Sequence, residues 1–258
     1  MASARFLSVE HLPRLTKAMA KGADTSSTPE GFDDGLRRLA DAFGNPRFIA
    51  RTYVGSHCQS EADDGERRPL FATIDAFLEG DGDGPLLVFG EAGSGKSSLL
   101  VMLKLLHLAG LWPKHHHCEL LALGADSLAQ IEAIKTPRKT VLLLDGFDGD
   151  PVAAAELARA TAGFRRVIIT GRSAGCGAGF GGETIHLSPF NDPQVDKYLK
   201  RRFRRMEEPS RKRAKVVLAG MGSVGFRPLV LSAADDFLHS RTKEWTTYSV
   251  YHLSLIHI

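Results

Sequence analysis

The stretch LLVFGEAGSGKSS at residues 86–98 places the tightest constraint on how this chain can fold. Four apolar residues suited to a buried strand run directly into a glycine-rich turn, and a helical pattern follows it. The turn has the form G-x-x-x-x-G-K-S, in which glycines let consecutive backbone N–H groups point inward at phosphate oxygens. A strand, such a turn and a helix in this order predict an anion-binding loop at the edge of a sheet.

The positions of this loop have distinct expected roles. Lys96 should reach the β- and γ-phosphates of a nucleotide, and the Ser97 hydroxyl should coordinate Mg²⁺. The helix that starts near Lys96 adds a favourable dipole for the same anion. A merely structural glycine-rich turn is the weaker alternative. The sequence therefore predicts a nucleotide-binding loop formed by Gly90, Glu91, Ala92, Gly93, Ser94, Gly95, Lys96, Ser97 and Ser98.

A second apolar run, VLLLDGFDGD at 141–150, ends in three carboxylates within six positions. Asp145 closes the strand, where a carboxylate can bind hydrated Mg²⁺ opposite Ser97. Asp148 lies within plausible reach of a water that attacks the γ-phosphate, although a solvated turn acid explains it equally well. The run therefore predicts a metal ligand at Asp145 and a candidate catalytic group at Asp148.

Strand and helix patterns alternate along the middle of the chain. Apolar runs of strand length recur at 118–124, 140–146, 166–172 and 183–190, with helical spacing between several of them. This alternation predicts a parallel sheet with helices on both faces.

Other segments set the expected domain boundaries. The segment 56–69 is polar and reads as a loop, and after Phe190 the strand patterns give way to helices broken at Pro209 and Gly220–Gly225. We expect a short helical N-terminal region at 1–50, a nucleotide-binding domain at 51–190, a helical subdomain at 191–252 and a foreign tail at 253–258.

The last six residues, LSLIHI, are expected to be foreign to the protein. They are the in-frame translation of CTGTCTCTTATACACATC, the end left by a common transposase-based sequencing library. We therefore leave them out of the fold and expect the natural chain to continue past about His252.

Composition indicates which partners and which cellular compartment to expect. The net charge of +3 gives no whole-chain argument for nucleic acid or membranes. Three cysteines without C-x-x-C spacing indicate a reducing compartment. The N-terminus lacks the apolar core of a secretory signal, and the apolar stretch 99–112 is too short to span a bilayer. We expect a cytoplasmic protein without a membrane partner.

The segment 197–215 holds ten Lys and Arg against two Glu. Nucleic acid or an acidic partner could bind it, but a solvated helix face is the more common explanation of such a run. Tyr198, Leu199, Phe203 and Met206 then form the buried side of that helix.

Two further patterns indicate function more weakly. KHHHCE at 114–119 suggests a zinc site, but adjacent histidines in a strand point to opposite faces, so a polar strand entrance is the better interpretation. GCGAGFGG at 175–182 has glycine spacing of the dinucleotide-binding type without a helix after it, which favours a plain loop.

Several motifs in order resemble NACHT-type ATPases of the STAND class. EAGSGKSSLL is similar to the phosphate loop of that family, and VLLLDGFD to its metal-binding strand. RVIITGRS at 166–173 is similar to the sensor strand, IHLSPFNDPQVDKYLKRRF at 185–203 to the segment entering the helical subdomain, and GFRPLVLSAADDF at 225–237 to the proline-bearing helix start. The resemblance covers roughly residues 46–240.

The resemblance implies a fold and further site residues. The fold would be the three-layer P-loop NTPase fold with a parallel sheet, followed by a small helical subdomain. Arg172 would face the γ-phosphate and Pro228 would pack near the adenine. By position alone, Tyr53 and Val54 would also lie near the adenine.

One departure from the family pattern matters for activity. Gly149 replaces the second member of an acidic pair, which puts efficient hydrolysis in doubt. In the family a winged-helix module and sensor repeats follow the helical subdomain, and we expect such a region, with a ligand that it senses, in the continuation of the natural chain.

The resemblance also implies a function, with two alternatives. It implies a signalling switch that binds Mg-ATP or ADP, hydrolyses ATP weakly and controls self-association of a larger protein. The alternatives are an AAA-like ATPase acting on nucleic acid or another substrate, and a nucleotide-dependent scaffold that does not hydrolyse.

Overall fold

The computed structural model describes residues 13–15, 19, 31–60, 66–82, 84–113, 115–172 and 180–239. The predicted foreign tail at 253–258 and most of the glycine-rich loop at 175–182 lie outside these residues, as does most of the first 30 residues. No helix in the described ranges is both long and apolar enough to cross a membrane.

The strands of the described chain form one mixed sheet with the order β2-β1-β7-β3-β6-β5-β4. Strands β3 to β7 run parallel to one another, and β1 and β2 are added antiparallel at one edge. The predicted parallel sheet is confirmed. The strands are His57–Gln59 (β1), Arg68–Pro69 (β2), Leu86–Phe89 (β3), His117–Ala122 (β4), Thr140–Phe147 (β5), Arg166–Gly171 (β6) and Glu183–Leu187 (β7).

The prediction that 56–69 is only a loop is wrong at both ends. His57 pairs with Pro69, and Cys58 pairs with both Arg68 and Leu187, so that two short strands extend the sheet. Runs of two or three residues are too short to show an alternating pattern, and β2 is exposed. Their pairing depends on the neighbouring edge of β7 rather than on local sequence.

Helices precede β1, connect several of the strands and follow β7. They are Phe32–Phe43 (α1), Pro46–Thr52 (α2), Leu70–Glu79 (α3), Lys96–Leu108 (α4), Ser127–Glu132 (α5), Pro151–Thr161 (α6), Asp192–Arg202 (α7), Glu208–Ala219 (α8), Pro228–Ser232 (α9) and Ala234–His239 (α10), with 3₁₀ turns at Pro137–Lys139 and Gly222–Phe226.

The core has three layers because successive strand residues face opposite sides of the sheet. Leu86 and Val88 join a hydrophobic cluster with residues of α1 to α4. Leu87 and Phe89 join another with residues of α5 and α6. Helix α4 is buried nearly all round, as its sequence predicts. Together with the loop between β3 and α4, these layers form the P-loop NTPase fold.

The helices after β7 have a hydrophobic cluster of their own. It combines side chains of α7 to α10, such as Leu199, Leu218 and Leu231, with Phe190. Val54, from the segment before β1, also belongs to this cluster. That segment therefore joins the helices after β7 to the rest of the chain.

Candidate functional site

The glycine-rich loop lies between the end of β3 and the start of α4, at the carboxyl edge of the parallel strands. Gly93 and Gly95 have φ angles of 76° and 96°, a region that other residues enter only with strain. The Leu99 N–H donates to Gly95 O at 2.9 Å, which starts the helix. The two glycines thus turn the chain sharply from the strand into the helix N-terminus.

The loop is packed closely enough to exclude side chains at two of its glycines. A Cβ atom on Gly90 would lie 2.7 Å from Ser94 Oγ, and one on Gly93 would lie 2.6 Å from the Leu229 Cβ. Ser94 Oγ is itself buried and has no hydrogen-bond partner in the described part of the chain. A buried hydroxyl without a partner is costly, so the loop fits a ligand with oxygen acceptors.

The Lys96 side chain folds back over this loop. Its Nζ donates to Gly90 O at 2.6 Å and to Glu91 O at 3.0 Å. Burial lowers the pKa of Lys96, and the charge of Arg172 adds to that effect, while the Asp145 carboxylate acts in the opposite direction. The predicted residues Lys96, Asp145 and Arg172 therefore lie close enough to influence one another.

The two predicted metal ligands lie on neighbouring elements. Asp145 is half-buried near the end of β5, and Ser97 is exposed in the first turn of α4. A carboxylate and a hydroxyl are oxygen ligands of the kind that Mg²⁺ binds together with water and phosphate oxygens. The donor set fits a magnesium ion held between a nucleotide and the protein.

Thr170 is a residue of this site that the sequence reasoning missed. It lies on β6, is fully buried, and its Oγ1 donates to Asp145 Oδ1 at 2.6 Å. In the sequence, Thr170 stands out as a polar residue between the apolar residues 167–169 and Gly171. Strand alternation alone does not show that its hydroxyl faces a carboxylate of the next strand.

The acids after Asp145 take part in local structure. The Asp150 side chain accepts a hydrogen bond from Val152 N at 3.0 Å and caps the N-terminus of α6. Asp148 Oδ1 accepts one from Asp150 N at 3.4 Å. Both carboxylates are exposed, and Gly149 between them has a φ of 98°. The geometry gives Asp148 the contacts of a turn acid.

The start of α9 packs directly against the loop. Leu229 N–H donates to Gly93 O at 3.2 Å, and Arg227 NH1 lies 3.9 Å from Glu91 Oε2. Pro228 Cγ would be 3.5 Å from a Cβ on Gly95. The structure thus places Pro228 beside the glycine-rich loop.

The two residues expected near a base belong to different clusters. Tyr53 is buried in the hydrophobic cluster that contains Leu86 and Val88, and its ring stacks on Phe71 with the ring centroids 5.8 Å apart. Val54 lines a cavity of about 360 Å³ together with Phe71 and Gln194. Ser188 N–H donates to His57 O at 3.0 Å, so this cavity lies near the carboxyl end of β7, at the same edge as the loop.

Much of the basic run at 197–215 serves the fold. Arg201 donates to Tyr53 O, and Lys215 lies 3.2 Å from Asp196. The Arg202 guanidinium lies over the rings of Phe48 and Phe203, at 4.9 and 5.0 Å from their centroids. The cations that remain exposed, without an ion pair to a described residue, are Lys197, Lys200, Arg204, Arg205 and Arg213.

The histidine-rich stretch does not form a metal centre with the residues described. His117 begins β4, which agrees with a strand entrance. Within the described ranges, no group of three or more His, Cys, Asp or Glu residues could hold a metal ion.

Comparisons with known proteins bear on the fold alone. A scan against protein-family models finds no match, and a search of curated proteins finds none. Among solved structures, the RuvB Holliday junction branch migration motor of Thermotoga maritima is similar, with a TM-score of 0.40 and 15% identity over 71% of this chain and 65% of that one.

A STAND protein with a tetratricopeptide repeat sensor from Pyrococcus horikoshii is also similar. Its TM-score is 0.41 and its identity 15%, over 79% of this chain and 34% of that one. This chain thus spans less than two thirds of either structure. The strand order and the placement of the loop define the class of this chain as a P-loop NTPase fold.

Proposed function

We propose that this chain binds Mg-ATP and ADP through the loop at Gly90–Ser98, hydrolyses ATP slowly, and acts as a NACHT-like switch that controls self-association. The observation that carries the proposal is the loop itself. A buried Ser94 hydroxyl without a described partner, a lysine of lowered pKa and two left-handed glycines meet at one helix N-terminus. This combination suits a polyphosphate.

Binding uses groups that are already in place. The Lys96 ammonium exchanges its two backbone carbonyl partners for phosphate oxygens, which gives this half-buried positive charge a negatively charged partner. The Ser94 hydroxyl gains an acceptor, and Arg172 adds positive potential at the same edge. Mg²⁺, when bound, supplies charge neutralisation on the β- and γ-phosphates, with Ser97 and Asp145 as its protein ligands.

Hydrolysis is expected to be slow because the water-orienting group is poorly supported. Asp148 is exposed and accepts a hydrogen bond from its own turn, and Gly149 offers no second carboxylate beside it. A general base acts efficiently when it is held within hydrogen-bond reach of the water. Binding is therefore the main event at this site.

The contact between α9 and the loop provides a route from nucleotide to conformation. Leu229 and Arg227 bind backbone and side chain of the loop, and both lead into the helical cluster after β7. A nucleotide that changes the loop also changes what α9 can contact. ATP and ADP shift such an equilibrium only if they bind its two states with different affinities.

Sedimentation velocity with two nucleotides tests the switch. We expect the wild-type protein to form larger species with Mg²⁺ and a slowly hydrolysed ATP analogue than with ADP. Lys96→Ala is the matched control and should sediment identically in both conditions. An equal mass distribution of the wild-type protein with either nucleotide, despite saturated binding, would remove the switch and leave only a nucleotide-binding module.

A second candidate is an AAA-like ATPase that acts on nucleic acid. The exposed cations Lys197, Lys200, Arg204 and Arg205 favour it, because they have no ion pair within the described chain and can contact phosphates. Phosphate release measured with and without DNA or RNA separates the candidates. Stimulation that falls steeply with salt and is lost in an Arg204→Ala/Arg205→Ala variant would support the motor over the switch.

A further inference from the structure

The pairing of β5 with β6 contains a bulge at the predicted metal ligand. Leu144 pairs with Ile169, and the next pair is Phe147 with Gly171. Two residues of β5, Asp145 and Gly146, therefore oppose the single residue Thr170. A bulge of this kind turns the side chain of the bulged strand and occurs often beside functional sites. Gly146 permits it with a φ of 92°.

The Thr170 hydroxyl contacts the polar groups of β5 at the bulge. Gly146 N–H donates to Thr170 Oγ1 at 3.3 Å. Thr170 Oγ1 lies 2.6 Å from Asp145 Oδ1 and 3.4 Å from Leu144 O. A hydroxyl can donate only one hydrogen bond. The Thr170 hydroxyl donates it to the Asp145 carboxylate, because this contact is much shorter and its acceptor is charged. Gly146, Thr170 and Asp145 thus form a short hydrogen-bonded chain.

These hydrogen bonds leave one oxygen of the Asp145 carboxylate available. No other hydrogen bond to the Asp145 side chain is found among the residues that the structure describes. Asp145 is half-buried, whereas Thr170 is fully buried. One oxygen is therefore held from inside the sheet, and the other can bind a cation or its water at the edge.

We infer that Thr170 is a positioning residue for the metal-binding carboxylate of Asp145. The inference rests on the proposed function, because it requires Mg²⁺ to be bound together with a nucleotide. Partners that orient metal ligands commonly contribute 10- to 100-fold to metal affinity. Thr170 is fully buried and acts through Asp145, so its loss should weaken only the magnesium-dependent part of binding.

The test compares Thr170→Val with Thr170→Ser by fluorescence titration with mant-ATP, in Mg²⁺ and in EDTA. In the wild type, Mg²⁺ should tighten binding. Thr170→Val keeps the shape but not the hydroxyl, and should lose about tenfold in Mg²⁺ with unchanged affinity in EDTA. Thr170→Ser keeps the hydroxyl and should restore the magnesium effect.

The outcomes separate the inference from the proposed function. A wild-type magnesium effect that Thr170→Val retains in full would overturn the role of Thr170 while leaving the proposed function intact. Absence of mant-ATP binding by the folded wild type would overturn the proposed function itself. Circular dichroism checks that each variant folds; if Thr170→Val does not, Thr170→Ala removes the same hydroxyl without adding a methyl and takes its place.

Discussion

Helix α4 carries one lysine near each end, and the two lysines have different kinds of partner. At its start, Lys96 binds two backbone carbonyls, and the charge of Arg172 helps to lower its pKa. At its other end, Lys104 lies 3.0 Å from the Glu119 carboxylate and also donates to Cys118 O. The same residue type on the same helix thus has a side-chain carboxylate partner at one end and only carbonyls at the other.

This difference supports the proposal that Lys96 belongs to a binding site, whereas Lys104 makes a structural contact. Lys104 holds α4 to β4 through a carboxylate that the protein itself supplies. Lys96 lies at a helix N-terminus among left-handed glycines, where the backbone dipoles also favour an anion. A half-buried ammonium that hydrogen-bonds only to backbone carbonyls is poised for a ligand that supplies negative charge. The comparison predicts different consequences when each lysine is removed.

The largest expected effect comes from Lys96→Ala. It removes a charge-assisted hydrogen bond to phosphate, so affinity for ATP should fall by about 100-fold. Isothermal titration calorimetry measures it, and thermal unfolding should change little. Unaltered affinity in this variant would show that the loop is not the nucleotide site.

Lys104→Met should instead reduce stability and leave ATP affinity unchanged. It keeps the apolar stem but breaks the contacts to Glu119 and Cys118, and should lower the free energy of unfolding by about 1–2 kcal/mol. Urea denaturation measures the loss. Affinity for ATP should match the wild type, and a drop as large as that of Lys96→Ala would erase the contrast between the two ends.

His107 adds a pH dependence at the Lys104 end. Burial lowers the pKa of His107 to about 4, with the Lys104 charge as the second cause. Between pH 6.5 and 4 the unfolded chain binds a proton that the folded chain does not, so stability falls as pH decreases through this window.

His107→Gln should reduce that loss by roughly 1–2 kcal/mol, a value lowered for the partial exposure of the ring. Melting temperatures at pH 7 and pH 4.5 measure it for the variant and the wild type. The same pH dependence in both proteins would contradict the assignment to His107.

Asp148→Asn should have the smallest effect. The exposed side chain mainly takes part in its own turn, so ATP affinity should stay within about twofold and slow phosphate release should fall by less than about threefold. A malachite green assay under saturating ATP checks this. A loss of activity by two orders of magnitude would establish Asp148 as a supported catalytic group.

The sequence predicts the elements that carry the glycine-rich loop and Asp145. The spacing from LLVF through GEAGSGKS specifies a strand, a loop and a helix by local rules alone. Asp145 follows because a carboxylate after four apolar residues reaches the same sheet edge. These features depend on residues that are neighbours in the chain.

The remaining features depend on contacts between distant segments. The role of Thr170 requires the bulge between β5 and β6, and the contact of Leu229 with Gly93 joins residues far apart in sequence. Neither leaves a periodic pattern. The same holds for β1, whose pairing partner Leu187 lies more than a hundred residues away.

A single-turnover experiment tests the central claim, that this loop binds Mg-ATP and hydrolyses it slowly. Excess wild-type protein is mixed with γ-labelled ATP and Mg²⁺, and both protein-bound label and free phosphate are followed with time. The account predicts that the ATP binds promptly and is converted to ADP far more slowly than it binds. If no label stays with the folded protein, or if phosphate appears as fast as ATP binds, the account is contradicted.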